Sequence, residues 1–207
     1  VFCGGWFHFA DFDYDGDLDL IAQNINNPNH ISYFQNYEGE LTFIEVLFTI
    51  DSTNVTSSSV MTPTFADIDN DGDLDFFTGN MVGTLTFYAN TGISEGLPQF
   101  EFITNSWQDI YIVGGTRLDG EDDRHGASAI TFIDLDGNGV LDLSWGDYFQ
   151  QSLYIIWNSG SAESPDMNNV TTEYPPDNPI ISAGQNMPTF ADLDDDGDSD
   201  LYVTVLS

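Results

Sequence analysis

Apolar residues in this chain come in short alternating runs, broken by aspartate-rich and glycine-rich turns every eight to twelve residues or so. Met61-Thr-Pro-Thr-Phe65 and Met187-Pro-Thr-Phe190 each read as a brief strand. Leu74-Asp-Phe-Phe-Thr78 reads as the next. A third strand ends on an aromatic and an asparagine, as in Tyr33-Phe-Gln-Asn36, Phe87-Tyr-Ala-Asn90 and Ile156-Trp-Asn158. A fourth follows in Leu41-Thr-Phe-Ile-Glu-Val46 and Gln99-Phe-Glu-Phe-Ile103. Four short strands per ~60 residues is the spacing of one antiparallel blade. No apolar run is long enough for a membrane helix, which needs ~20 residues.

The pattern repeats. Phe9-Ala-Asp-Phe-Asp-Tyr-Asp-Gly-Asp-Leu-Asp-Leu20 recurs at Phe65–Phe76, Phe132–Leu143 and Phe190–Leu201, with starts 56, 67 and 58 residues apart. One such unit cannot bury both faces alone, so neighbours must stack. The expected blades are 1–56, 57–123, 124–181 and an incomplete 182–207, about three and a half units in all. That is fewer than the 4–8 blades of a closed propeller, so the chain is expected to belong to something longer or to be completed by another molecule. The expected fold is all-β, in propeller-type four-stranded blades. The stretch Gly114–Gly126 is expected to be a polar excursion on one rim.

Each repeat carries the loop Asp-x-Asp-x-Asp/Asn-Gly-x-x-Asp. In the first, Asp11, Asp13 and Asp15 supply side-chain oxygens at positions one, three and five. Asp17 offers its backbone carbonyl at position seven, Asp19 closes at position nine, and Gly16 permits the turn. The same positions are Asp67, Asp69, Asp71, Asp73 and Asp75 in the second loop. They are Asp134, Asp136, Asn138, Val140 and Asp142 in the third, and Asp192, Asp194, Asp196, Asp198 and Asp200 in the fourth. Clustered oxygen donors without His or Cys select a hard cation, and several flexible ligands favour Ca²⁺ over Mg²⁺. About four Ca²⁺ sites are expected. Asn138 and Val140 should weaken the third, whereas Ser199 in the fourth touches packing rather than ligation. An EF-hand begins alike but needs a Glu at position twelve and flanking helices. Position twelve here is Ala22, Thr78, Trp145 and Val203.

Charge sharpens this reading. There are 35 acidic residues against two basic ones, Arg117 and Arg124, for a net charge of −33. Such a surface repels nucleic acid and anionic membranes. Nineteen of the acidic residues lie in the four loops. Massed carboxylates left unneutralised would cost several kcal/mol, so bound cations are expected to be structural. Aromatics make up 14% of the residues and are patterned, which separates the chain from acidic disordered segments. Cys3 stands alone, which excludes a disulfide within the chain.

The segment Phe65-Ala-Asp-Ile-Asp-Asn-Asp-Gly-Asp-Leu-Asp-Phe76 resembles the FG-GAP/VCBS-type repeat of integrin-like β-propellers. The resemblance implies a calcium loop between the first two strands of each blade. It also implies extracellular or cell-surface placement and a role in adhesion or in assembling a surface structure, with other protein subunits or surface glycans as partners and self-assembly as an option.

Catalytic machinery is absent. No phosphate loop or zinc-spaced His pair occurs, and the string Gly92-Ile-Ser-Glu-Gly96 lies between two strand-like runs, not at the strand-to-helix turn a nucleophile elbow needs. His8, His30 and His125 are scattered, with His8 read as a strand-face residue. Asp119, Glu121, Asp122 and Asp123 read as a plain acidic loop with a further cation site as the rival. Trp107, Tyr111, Trp145, Tyr148, Tyr154 and Trp157 are expected mostly in the core, with a sugar-stacking surface as the alternative. Asn54-Val-Thr56 and Asn169-Val-Thr171 match the N-glycosylation pattern in stretches that read as exposed loops. The expectation is a non-enzymatic, calcium-stabilised module. Its alternatives are a carbohydrate-binding lectin-like propeller and an accessory domain of a secreted enzyme.

Overall fold

The structure, a computed structural model, describes residues 3–47, 49–112, 126–148, 151–182 and 184–205. The acidic stretch with Asp119, Glu121, Asp122, Asp123 and His125 therefore lies outside the described residues, as do Arg117 and Arg124.

Among the described residues, fourteen strands form four antiparallel sheets. The first blade is β1 (Phe7–Ala10), β2 (Asp19–Gln23), β3 (Ile31–Tyr37) and β4 (Glu40–Val46), in that spatial order. The second is β5 (Thr64–Ala66), β6 (Asp75–Gly79), β7 (Leu85–Ser94) and β8 (Leu97–Thr104). The third is β9 (Ala127–Ile133), β10 (Asp142–Asp147), β11 (Tyr154–Trp157) and β12 (Asn169–Thr171). The fourth is the two-stranded ribbon β13 (Asn186–Ala191) and β14 (Asp200–Val205). The chain is thus all-β and built of propeller-type blades, three complete and one half. No α-helix occurs among the described residues, and the EF-hand alternative falls with it.

Strand period explains how the blades stack. Adjacent side chains on a strand face opposite ways, so Phe76 and Phe77 on β6 enter different cores. Phe76 packs with Ile21, Tyr33, Tyr88 and Phe100 between the first and second blades. Phe77 packs with Leu85, Leu143, Trp145 and Ile156 between the second and third. Both faces of β6 and β10 are buried along their whole length. Trp107, on a single 3-10 turn after β8, plugs the second interface edge-on to Phe77 at 5.1 Å. Edge-to-face geometry is favoured for such rings.

The first strands of successive blades lie side by side. His8 Nε2 sits 2.9 Å from the Pro63 carbonyl. Thr62 pairs in parallel with Ala129, and Thr131 Oγ1 donates to the Pro188 carbonyl at 3.2 Å. Burial lowers the His8 pKa, the bond to Pro63 opposing it. The imidazole is thus spent on blade packing.

The aromatics divide as expected. Trp107, Trp145 and Tyr154 are core residues, and Tyr111 is exposed. Asn169-Val-Thr171 departs from expectation: it forms the edge strand β12, and Thr171 Oγ1 accepts from Trp157 Nε1 at 2.9 Å. The strand forms because Val170 pairs with Ile156, a partner invisible in the local Ser/Thr/Asn composition.

Candidate metal sites

Each metal loop is the hairpin connection between the first and second strands of its blade. The loops hold one local design. Asp11 accepts the Asp15 N–H at 3.1 Å and the Gly16 N–H at 3.0 Å. Asp67 accepts those of Asp71 and Gly72, both at 3.1 Å. Asp134 accepts from Asn138 and Gly139, and Asp192 from Asp196 and Gly197, at 2.9 to 3.2 Å. Position five accepts from position seven at 2.9 Å in every loop, through Asp15, Asp71, Asn138 and Asp196. These are Asx turns, in which a short side chain replaces a backbone partner. Position six has φ near +95° in the first two loops, a conformation glycine adopts without strain.

The turns gather the carboxylates. One oxygen each from Asp11, Asp13 and Asp15 lie within 4.8 Å of one another, and the same holds for Asp67, Asp69 and Asp71. The groups are Asp134, Asp136 and Asp142 in the third loop, and Asp192, Asp194 and Asp200 in the fourth. Asn138 sits at position five of the third loop, where its amide oxygen is turned to the Val140 N–H. Asp17, Asp73, Val140 and Asp198 each stand at position seven, with the N–H turned inward to position five.

Position nine has a structural task as well. Asp19, Asp75 and Asp142 are buried. Each accepts a backbone N–H from an asparagine in or just after the third strand: Asn36, Asn90 and Asn158, all at 2.8 Å, although β7 runs on past the expected end at Asn90 to Ser94. The same asparagines donate through their side chains to the position-eight carbonyls of Leu18, Leu74 and Leu141. Sequence reading took the aromatic–Asn ending as a strand signal and missed this clamp. The signal was present: an asparagine recurs 17, 15 and 16 residues after the ninth-position aspartate.

The second oxygen differs between blades. In Asp19 it accepts from Tyr33 Oη at 2.8 Å and from the Phe12 N–H at 3.3 Å. Phe87 occupies the Tyr33 place in the second blade. There the buried Asp75 Oδ2 has no hydrogen-bond partner. Burial raises the pKa of all three carboxyls, with the backbone bonds opposing it. Asp75, the least satisfied, is pushed up to about 7.

Loops one and two touch. The Tyr14 hydroxyl donates to the Asp73 carboxylate and to the Gly72 carbonyl, the latter at 3.2 Å. Gln35 Nε2 donates to Asp13 Oδ2 at 2.5 Å.

A hard divalent cation fits this donor set. The oxygens are carboxylate, amide and carbonyl, with no His or Cys among the grouped residues. A buried carboxylate oxygen at Asp75 without a hydrogen-bond partner also calls for a positive partner. The cation would neutralise carboxylates that now repel, and it would tie the first strand to the second.

Comparison with known proteins bears on the repeat. Residues 11–78 match the family model for the FG-GAP-like repeat. That span contains the first two loops, so the resemblance read from Phe65–Phe76 holds there. Mouse cartilage acidic protein 1 is 28% identical over 149 residues. Those residues are 71% of this chain and 21% of that protein, so the chain spans about a fifth of its length. Among solved structures, an Agrocybe aegerita lectin described for specific recognition of non-reducing terminal N-acetylglucosamine aligns with a TM-score of 0.49 and 16% identity. The alignment covers 96% of this chain and 46% of the lectin.

Proposed function

We propose that this chain is a non-enzymatic, calcium-stabilised module of an extracellular or cell-surface protein, serving adhesion or the assembly of a surface structure. One observation carries the reading: four hairpin loops, far apart in sequence, gather carboxylates by the same Asx hydrogen bonds at the same strand junction. Asp11, Asp13 and Asp15 would hold the first ion with the Asp17 carbonyl, and the corresponding residues the others. Asp19 and its counterparts would close each shell.

Ion supply supports an extracellular setting. Extracellular modules of this kind bind Ca²⁺ at about 10⁻⁴ to 10⁻³ M, which suits outside concentrations and not cytosolic ones. No helix among the described residues is long and apolar enough to cross a membrane. The partners are other protein subunits or surface glycans, because so acidic a surface disfavours nucleic acid.

Thermal unfolding with millimolar Ca²⁺ and then with chelator tests this. Millimolar Ca²⁺ is about one- to tenfold over such a Kd, so each site adds about 0.4 to 1.4 kcal/mol and the melting temperature should fall by several degrees on chelation. An unchanged melting curve would falsify the calcium role. Light scattering in the same two conditions separates a calcium-held assembly from a calcium-stabilised monomer.

A further inference from the structure

A cleft of about 420 Å³ lies between the first and second blades, at the end away from the metal loops. Its floor is Thr78, Asn80 and Thr86 of the second blade. Its wall is Asn29 and the linker around Ser58, from the first. Nine residues line it, and none is acidic or basic. In a chain carrying 35 acidic residues, such neutrality is unusual for a polar concavity.

The lining is already organised by its own hydrogen bonds. Asn80 Nδ2 donates to Thr86 Oγ1 at 3.0 Å, and Thr86 Oγ1 donates to Asn105 Oδ1 at 3.0 Å. The Ser59 N–H donates to Asn29 Oδ1 at 3.0 Å. These bonds fix both amides so that their Nδ2 donors remain available. The buried Ser57 and Thr78 hydroxyls pair at 2.6 Å behind them. Pre-set donors and acceptors in a concavity of this size are what a small polar ligand requires.

Comparison between blades shows that the space is kept rather than left over. The first blade repeats the amide–hydroxyl pair, with Asn24 Nδ2 donating to Ser32 Oγ at 2.9 Å. There no preceding blade supplies a wall among the described residues. In the third blade Trp145 and Tyr154 stand where Thr78 and Thr86 do, and both rings are buried. Large rings there fill the equivalent volume.

The ligand class follows by charge and solvation. An anion is repelled by the surrounding net charge. A cation finds no carboxylate here, though many exist elsewhere on the chain. An apolar molecule would strip water from amides and hydroxyls without replacing the bonds. A neutral polyol meets none of these objections, and a sugar ring presents alternating donors and acceptors of the required kind. We propose that this cleft binds one neutral sugar ring. The proposal deepens the adhesion reading by naming a ligand, and its geometry stands apart from the metal loops. Tyr88 lines the cleft but is 5% exposed, tilted against Phe76 and edge-on to Phe102, so no aromatic face stacks on the ring.

The test is a saturation-transfer NMR titration of the full chain in millimolar Ca²⁺. The probes are neutral methyl hexosides and methyl N-acetylhexosaminides, with a methyl glucuronide as the anionic counterpart. At least one neutral glycoside should bind and the glucuronide should not. Asn105→Ala removes a free donor, and Ser58→Tyr fills the mouth. Each should weaken binding tenfold or more while the melting temperature stays within a few degrees. Asn26→Ala, on the first blade, should leave binding unchanged. The proposal is overturned if no neutral glycoside binds, or if Asn105→Ala and Ser58→Tyr both bind as the parent does. A calcium titration of the same sample separates the two readings. Calcium uptake without sugar binding overturns this proposal alone, and sugar binding without calcium uptake overturns only the metal reading.

Discussion

The second and fourth metal loops are nearly the same sequence in different surroundings. Asp67, Asp69, Asp71, Asp73 and Asp75 match Asp192, Asp194, Asp196, Asp198 and Asp200 position for position. Their Asx bonds agree within about a tenth of an ångström. Yet Ile68 is 4% exposed and its counterpart Leu193 is 53% exposed. Asp75 is buried under the Asn90 N–H of a third strand. Asp200 is exposed, and among the described residues its blade has no third strand. The hairpin therefore gathers its carboxylates by itself, Asp200 included, and the third strand buries the ninth position. Identical ligands need not make equal sites.

The largest expected effect that sharpens this contrast is on pH dependence without metal. Asp75 is raised from the ordinary carboxylate range to about 7, so between those values the folded state holds a proton that the unfolded state has released. Stability of the chelated protein should then fall as pH rises through that window, by an amount on the order of a few kcal/mol. Asp75→Asn mimics the protonated form and should flatten the slope in chemical denaturation at pH 5 and pH 8. Equal slopes for parent and variant would remove the special status of the second loop.

Next in size is the metal itself. Asp75→Asn should weaken one class of calcium site tenfold or more by titration calorimetry. Asp200→Asn should weaken its site about threefold, because among the described residues no third strand holds the ninth position of the fourth loop. Reversed magnitudes would show that the third strand contributes nothing to affinity.

Asn90→Ala comes third. It leaves the backbone bond to Asp75 but deletes the side-chain bond to the Leu74 carbonyl and the one accepted from the Gly92 N–H. The cost should be about 1 kcal/mol in calcium-loaded urea unfolding. Among the described residues the fourth blade shows no such asparagine. Smallest is Tyr14→Phe, which removes the hydroxyl shared between loops one and two. It should lower stability by about 0.5 kcal/mol. It should also abolish any coupling between Asp11→Asn and Asp71→Asn in a double-mutant cycle.

How much of this could be read from sequence divides along chain distance. The loops were legible because every Asx bond spans five residues or fewer, so the ligand pattern and its geometry are the same local fact. The strand order was legible because hairpins join neighbours. The Asn36 clamp was visible as a letter but not as a function, since its partner Asp19 lies 17 residues back across a strand. The opposite fates of Ile68 and Leu193 were not legible at all, for burial there depends on what stacks against the blade. Asn169-Val-Thr171 misled for the same reason: polar composition gave a loop, and pairing with β11 gave a strand.

The side-by-side contacts of the first strands join residues 55 to 67 apart, whereas strands within a blade join near neighbours. Chain closure over the longer separations is slow relative to hairpin formation. Folding should therefore begin in whichever aspartate hairpin captures an ion first and spread to adjoining blades, as in a one-dimensional array. Ion supply would then set the number of starting points as well as the final stability, so that refolding from chelator is paced by how many hairpins are loaded when the chain begins to collapse.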